Sequence, residues 1–182
     1  MFVRNICYPV TSLGPGNRLA IWLTGCKKNC PGCMSPELRI QLDDDKVPIS
    51  LIKDIIGNVK APIDGVTISG GEPLDQLSEL DELIDYIFSS ITRDILLYSG
   101  YSYPEIMEKC KDYELLSKVA TLIAGDYQVA LNNGRGLRGS SNQTVHRLKN
   151  INSYDYENAK RRRQVFVFDD KAVLVGLRGA NG

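Results

Sequence analysis

Three of the five cysteines fall within eight residues. Cys26, Cys30 and Cys33 sit in GCKKNCPGCM with the spacing Cys-x3-Cys-x2-Cys, while Cys7 and Cys110 stand alone. A secreted disulfide framework would be even in number and more spread out, so the trio points to metal or redox chemistry in a reducing compartment. Iron–sulfur clusters are held by thiolates, usually four of them. Three local thiolates can hold three irons of a cubane and leave the fourth open to an outside ligand. An open metal position marks catalytic sites, whereas structural sites are closed. The competing chemistry is structural zinc, with the only histidine, His146, as fourth ligand. Zinc ligands usually come as spaced pairs, which a trio and one distant histidine match poorly. Cys7 or Cys110 could also close the site, but both lie in apolar or helical stretches and read as small buried hydrophobes.

A second candidate lies in GVTISGGEPL, residues 65 to 74. An apolar strand there runs into Ser69-Gly70-Gly71-Glu72-Pro73. Adjacent glycines at the end of a buried strand allow a ligand close to the backbone, and Glu72 adds an acceptor that suits a cationic amine. A phosphate loop would carry Gly-Lys-Ser or GxGxxG, and this turn has neither. Taken alone, the segment reads as an ordinary strand-to-helix turn.

These residues need a scaffold, and the hydrophobic pattern supplies one. Phe2 to Val10 reads as a first strand or arm, followed by the turn Gly14-Pro15-Gly16. LAIWLT (19–24), GVTIS (65–69), DILLY (94–98) and VATLIA (119–124) are short apolar runs suited to buried strands. Between them lie helical stripes. Ser50 is placed to cap one carrying Ile52, Ile55, Ile56 and Val59, and Asp75 another carrying Leu77, Leu80, Leu83, Ile84 and Ile87. Ser102 and Glu105 form a capping-box pattern. Alternating strands and helices predict an α/β fold with a parallel sheet. The cysteines, the Gly-Gly-Glu-Pro turn, Ser99-Gly100-Tyr101 and Gly125-Asp126 then all follow strand ends, where such folds place their sites. Asp43, Asp44 and Asp45 read as a solvated loop. From Gly125 to Gln143 the pattern gives way to a long polar, Gly-rich loop, either a binding segment or a plain connector. Lys160 to Arg163 reads as a solvated helix end. Residues 164–169 and 172–175, split by Asp170 and Lys171, read as a closing antiparallel hairpin.

Composition narrows the class. A chain of 182 residues fits one domain, 1–182, and can bury roughly 70% of its unfolded surface without a staple. Lys plus Arg and Asp plus Glu are equal at 22 each, so nothing points to nucleic acid or an anionic membrane. No apolar run approaches the ~20 residues of a membrane span. MFVRNICYPV reads as the start of the fold rather than a signal peptide. The expected compartment is the cytoplasm.

The two motifs together resemble the radical S-adenosylmethionine (SAM) superfamily. More narrowly, GPGNRLAIWLTGCKKNCPGC, GVTISGGEPLDQ, LLYSGY and RGSSNQ resemble the anaerobic ribonucleotide reductase activating proteins, from about Gly14 to Gln143. The resemblance implies an incomplete β/α barrel and one 4Fe–4S cluster on Cys26, Cys30 and Cys33. It implies SAM bound through its amino and carboxylate groups at the open iron. Gly70, Gly71 and Glu72 would line the amino group, Gly32, Cys33 and Met34 would meet the adenine, and Ser99 would join the SAM contacts. Many members carry an aromatic residue before the third cysteine; Gly32 here removes that side chain and favours the activase branch. The implied reaction is reductive cleavage of SAM to a 5′-deoxyadenosyl radical that takes a hydrogen atom from a backbone glycine of a large glycyl-radical enzyme. Flavodoxin or ferredoxin would supply the electron. Arg138, Ser140, Ser141 and Asn142 match the family's RGSSNQ and are expected to receive the partner or close over SAM. Arg18 is expected at the cluster loop, at a substrate carboxylate, or in a structural ion pair. Tyr98 and Tyr101 would flank the site edge or serve packing. Two alternatives stay open at this point: a radical SAM reaction on a peptide or small metabolite, and a non-enzymatic iron–sulfur or zinc module.

Overall fold

The computed structural model describes residues 1–168 and 171–179. Strands β1 (Val3–Val10), β2 (Arg18–Leu23), β3 (Gly65–Gly70), β4 (Ile95–Ser99), β5 (Thr121–Ala124) and β6 (Thr144–Arg147) form one six-stranded sheet in chain order. β2 to β5 run parallel, and β1 and β6 close the two edges antiparallel. The parallel strands are mostly apolar on both faces because both faces are covered. Leu19, Ile21, Leu23, Val66, Ile68, Ile95 and Leu97 are all fully buried.

Helix α1 (Ile49–Gly57) lies between β2 and β3, and α2 (Leu77–Ser90) between β3 and β4. Helices α3 (Tyr103–Lys109) and α4 (Leu115–Lys118) lie between β4 and β5. α2 buries Leu80, Leu83, Ile84 and Ile87 against the sheet core, as its periodicity predicts. α1 is shorter than its stripe. Pro48 rather than Ser50 stands at the N-cap, Ile52 and Ile56 are buried, Ile55 is exposed, and Val59 lies past the end. α3 opens with the predicted Ser102–Glu105 capping box.

Several expectations are corrected. Asp75 does not cap α2. It sits in a 3-10 turn, Pro73–Gln76, whose own cap is the Glu72 side chain accepting from Leu74 N. Asp45 is not a solvated loop residue, because it is buried and paired with Arg4 at 2.7 Å. Residues 160–163 form no helix. β6 is a strand that its polar sequence, TVHR, did not signal.

The hairpin is present as β7 (Gln164–Phe168) and β8 (Lys171–Val175), an antiparallel pair outside the main sheet. Asp169 and Asp170, in its predicted turn, lie outside the described residues. Phe166, Val173 and Val175 pack with Cys7, Val10, Leu13 and Trp22, which seats the hairpin on the β1–β2 face. The sheet is thus mixed and mostly parallel. Among the described residues no helix is long and apolar enough to cross a membrane.

Candidate active site

The C-terminal ends of β2, β3 and β4 meet at a cavity of about 470 Å³, which falls in the range of small-molecule cofactor sites. Cys26, Cys30 and Cys33 line it, as do Met34, Gly70, Gly71, Glu72 and Ser99; the hairpin and the 125–143 loop form the opposite wall. Every cofactor contact expected from the sequence therefore borders this one cavity except Gly32, which packs nearby.

The thiol loop follows β2 directly and is tied at its start by backbone bonds, Gly25 N to Leu38 O at 2.9 Å and Cys26 N to Arg39 O at 3.0 Å. All three thiols are half-buried and free of disulfides. Burial holds the Cys26 thiol above its ordinary pKa, and the nearby carboxylates of Glu72 and Asp75 push the same way. No group of three or more His, Cys, Asp and Glu side chains among the described residues is gathered closely enough to hold a metal ion. The donor chemistry nevertheless fits a cluster: three soft sulfur ligands on one loop, facing one cavity. Gly32 has a left-handed φ of +69°, and a Cβ there would stand 3.1 Å from Val129. A side chain at this position would thus press on Val129 of the 125–143 loop.

The two glycines of the Gly-Gly-Glu-Pro turn border the cavity and also permit a close approach of backbone to backbone. A Cβ on Gly70 would lie 2.2 Å from Leu23 O, and one on Gly71 2.2 Å from Gly25 O. Gly71 N and Glu72 N donate to these same carbonyls, each at 2.8 Å. The missing side chains let the turn weld itself to the root of the thiol loop.

Glu72 is almost fully buried. Its Oε1 accepts from Leu74 N at 3.0 Å and Ser99 Oγ at 2.8 Å, and its Oε2 accepts from Gly100 N at 2.7 Å. Burial lifts its pKa to about 7, against the pull of these three donors. A carboxyl poised there becomes a fixed anion as soon as an ammonium group sits beside it.

Sequence reasoning did not find the neighbouring network. Asp75 accepts from Lys27 N at 3.1 Å and from Tyr101 Oη at 2.8 Å. It links the thiol loop to the β4 turn. The Lys28 and Lys109 ammonium groups stand 4.8 and 4.3 Å from the Tyr101 ring centre. The signal available was GGEPLDQ itself, whose aspartate read as a helix cap.

The 125–143 loop is ordered by its own side chains. Gln143 Oε1 accepts from Gly139 N and Ser140 N, and its amide donates to Gly125 O. Arg138 pairs with Glu157 at 3.0 Å and donates to the Ser141 and Gln143 carbonyls. Asn142 donates to Asp126 O. Arg161, expected in a solvated run, instead donates to Gly136 O, Asn132 Oδ1 and the carbonyls of Arg135, Arg138, Gly139 and Arg178.

Other candidates fall away from the cavity. His146 stacks on Tyr103 and bonds Thr144; it does not border the cavity, which removes it as a zinc partner for the trio. Cys7 and Cys110 are each 3% exposed and packed in apolar clusters. Arg18 is fully buried at the opposite end of β2, bonded to Thr67, Val66 O and Asp94, so its role is structural. Tyr98 borders the cavity and donates to Leu137 O.

Comparison with known proteins gives the same class. Residues 12–146 match the family described as a 4Fe-4S single cluster domain. The chain is similar to the anaerobic ribonucleoside-triphosphate reductase-activating protein of Enterobacteria phage T4, at 30% identity over 72% of this chain and 85% of that protein. It is also similar to the protein of the same name from Escherichia coli K12, at 27% identity over 78% of this chain and 96% of that protein. The site and these likenesses define a radical SAM enzyme whose cofactors are a 4Fe–4S cluster and SAM. Within that class the chain belongs to the family of glycyl-radical-enzyme activating proteins.

Proposed function

We propose that this chain, as one domain spanning 1–182, activates an anaerobic ribonucleotide reductase by removing a hydrogen atom from a backbone glycine of that enzyme. The observation that carries the reading is the meeting of the thiol loop, the Glu72 turn and Ser99 at one cavity. In this reading Cys26, Cys30 and Cys33 hold the cluster. Gly70, Gly71, Glu72 and Ser99 face the SAM amino group, and Gly32, Cys33 and Met34 border its adenine. The bound cluster and SAM supply one-electron cleavage to methionine and a 5′-deoxyadenosyl radical. The protein's own part is to hold and to exclude. Glu72 fixes an ammonium group at the end of β3. The backbone weld at Gly70 and Gly71 keeps that carboxylate in register with the thiols. The hairpin and the 125–143 loop keep water from the chamber. We read the parallel run β2–β5 as an incomplete β/α barrel whose open side admits the partner's glycine segment. Arg138 Nε and Asn142 Oδ1, buried and without a hydrogen-bond partner among the described residues, give the 125–143 loop spare valences for that segment. Flavodoxin or ferredoxin is the electron donor in this reading, in the cytoplasm, with neither nucleic acid nor membrane as partner; balanced charge supports the last point.

The test is anaerobic. The chain is reconstituted with iron and sulfide, reduced, and its electron paramagnetic resonance spectrum recorded with and without SAM. 5′-Deoxyadenosine and a glycyl radical on the added reductase are then measured. A SAM-sensitive cluster signal with both products is expected. A cluster indifferent to SAM, or tightly held zinc, overturns the reading.

A further inference from the structure

The turn that leads into β2, at the end of that strand away from the thiols, borders a second cavity of about 400 Å³, within the range of small-molecule sites. One wall is the Gly14-Pro15-Gly16 turn with Thr11 and Asn17; the other carries Tyr154, Lys160 and Arg162. Side chains of the closing segment hold the first wall in place. Gln164 Oε1 accepts from Thr11 N at 2.6 Å and Ser12 N at 3.0 Å, and Ser12 Oγ donates to Val175 O at 3.2 Å.

The lining carries one sign of charge. Lys160 and Arg162 border the cavity and, among the described residues, no carboxylate does. The acids around it are already engaged: Asp64 by Asn17 N at 2.8 Å, Asp155 by Glu157 N and Asn158 N, and Glu157 by Arg138. The side chains of Lys160 and Arg162 make no hydrogen bond or ion pair among the described residues, and neither do the hydroxyls of Thr11 and Tyr154. Burial raises the Tyr154 pKa and the Arg162 charge pulls it back, which sets the guanidinium near the phenol. A guanidinium, an ammonium and two hydroxyls without partners are a donor set for a phosphate. The guanidinium fork matches two phosphate oxygens, and Gly16, with φ +75°, shapes a turn that lets an anion approach backbone N–H groups.

The 160–162 segment has two sides. Lys160 and Arg162 border this cavity, while Arg161 between them donates to the carbonyls of Arg135, Arg138 and Gly139 in the 125–143 loop. We propose that this second cavity binds a phosphate-bearing small molecule through Lys160 and Arg162, and that its occupancy steadies the 125–143 loop through Arg161. The cavity stands apart from the thiol chamber, so binding there is independent of the radical SAM reading.

Titration calorimetry on the full-length, cluster-loaded chain tests this, with inorganic phosphate, tripolyphosphate and ATP as probes, each with and without SAM. Tripolyphosphate should bind more tightly than phosphate, because it reaches more of the donors. Lys160→Gln and Arg162→Gln should each weaken its binding about tenfold, roughly the value of one charge-assisted bond. Lys111→Gln, at an exposed lysine paired with Glu108, should bind as wild type does. Iron content and circular dichroism are matched between variants. Equal affinity for tripolyphosphate and ATP supports a polyphosphate site, and tighter ATP supports a nucleotide site. Hydrogen exchange at residues 132–143 should slow when the probe is bound. No probe binding more tightly than about 1 mM, an equal loss in Lys111→Gln, or a probe that SAM displaces each overturn the site. Binding that leaves exchange at 132–143 unchanged overturns the link through Arg161.

Discussion

The guanidinium of Arg18 lies against the α-carbon of Gly65: a Cβ at Gly65 would stand 2.2 Å from Arg18 Nη1. Gly14 gives way to the same side chain, with its Cβ position 2.6 Å from Arg18 Cδ. The buried cation ties β2 to β3 through Thr67 and Val66 and to the start of β4 through Asp94. Two consequences can be measured by urea unfolding. Gly65→Ala should overpack the socket and cost roughly 1–3 kcal/mol. Arg18→Met should cost about 3–5 kcal/mol, because it strands the acceptors that the guanidinium satisfied. Neither change touches the thiols, so folded protein should still take up iron.

Replacing the cysteines should separate the trio from the pair. Cys26→Ala, Cys30→Ala and Cys33→Ala should each abolish the cluster and 5′-deoxyadenosine formation, with little change in apoprotein stability. Cys7→Ala and Cys110→Ala should keep the cluster and lose about 1 kcal/mol from packing. Iron analysis and thermal melting distinguish the two sets.

Glu72 sets a pH dependence. Its folded pKa of about 7 lies above its ordinary value of 4.5. Proton uptake by the folded state thus contributes stability that is complete below pH 4.5 and lost as pH rises through 7. Across that window the apoprotein should lose up to about 3 kcal/mol through this group. Burial moves His146 the other way, below its ordinary pKa, so wild type alone mixes two slopes. The stability of wild type relative to Glu72→Gln isolates the carboxyl, and it should fall from pH 4.5 and level off above 7. SAM should protect wild type most strongly above pH 7.

Asp75 should govern cluster retention more than folding. Asp75→Ala releases the Lys27 amide and the Tyr101 hydroxyl together, so iron should be lost to a chelator severalfold faster. The expected change in apoprotein stability is within about 1 kcal/mol, one or two partly exposed hydrogen bonds. Tyr101→Phe removes one of the two bonds and should fall between.

Arg161→Ala should loosen the 125–143 loop, since one guanidinium serves several of its carbonyls. Hydrogen exchange at residues 132–143 should accelerate while exchange in β2–β5 stays slow. Transfer of the radical to a partner should fall more than 5′-deoxyadenosine formation in its absence.

The sequence displayed the parallel strands clearly, because LAIWLT, GVTIS and VATLIA are apolar on both faces and only a sheet covered on both sides uses such runs. The thiols and the Glu72 turn were equally visible, since each is a short motif at a strand end. Less visible was anything that depends on distant backbone. Gly70 and Gly71 read as ligand space, and the sequence did not show that they also make room for the backbone of Leu23 and Gly25. Asp75 read as a cap because a helix follows it, and the Lys27 amide it receives lies 48 residues away. Arg161 was hidden in a charge run, where one buried role looks like its solvated neighbours. β6 is an edge strand held by pairing to β5 rather than by apolar alternation, so periodicity could not find it.

Sheet order equal to chain order has a consequence for biosynthesis. Each strand can join an existing edge as it leaves the ribosome, so the sheet grows outward without waiting for a later segment to be inserted. The chamber is another matter. Its thiols emerge at residues 26–33, and its far wall includes residues 172–178. At 5–20 residues per second, that interval lasts roughly seven to thirty seconds. During it the nascent sulfurs face the cell unroofed, open to an iron–sulfur carrier and equally open to an oxidant.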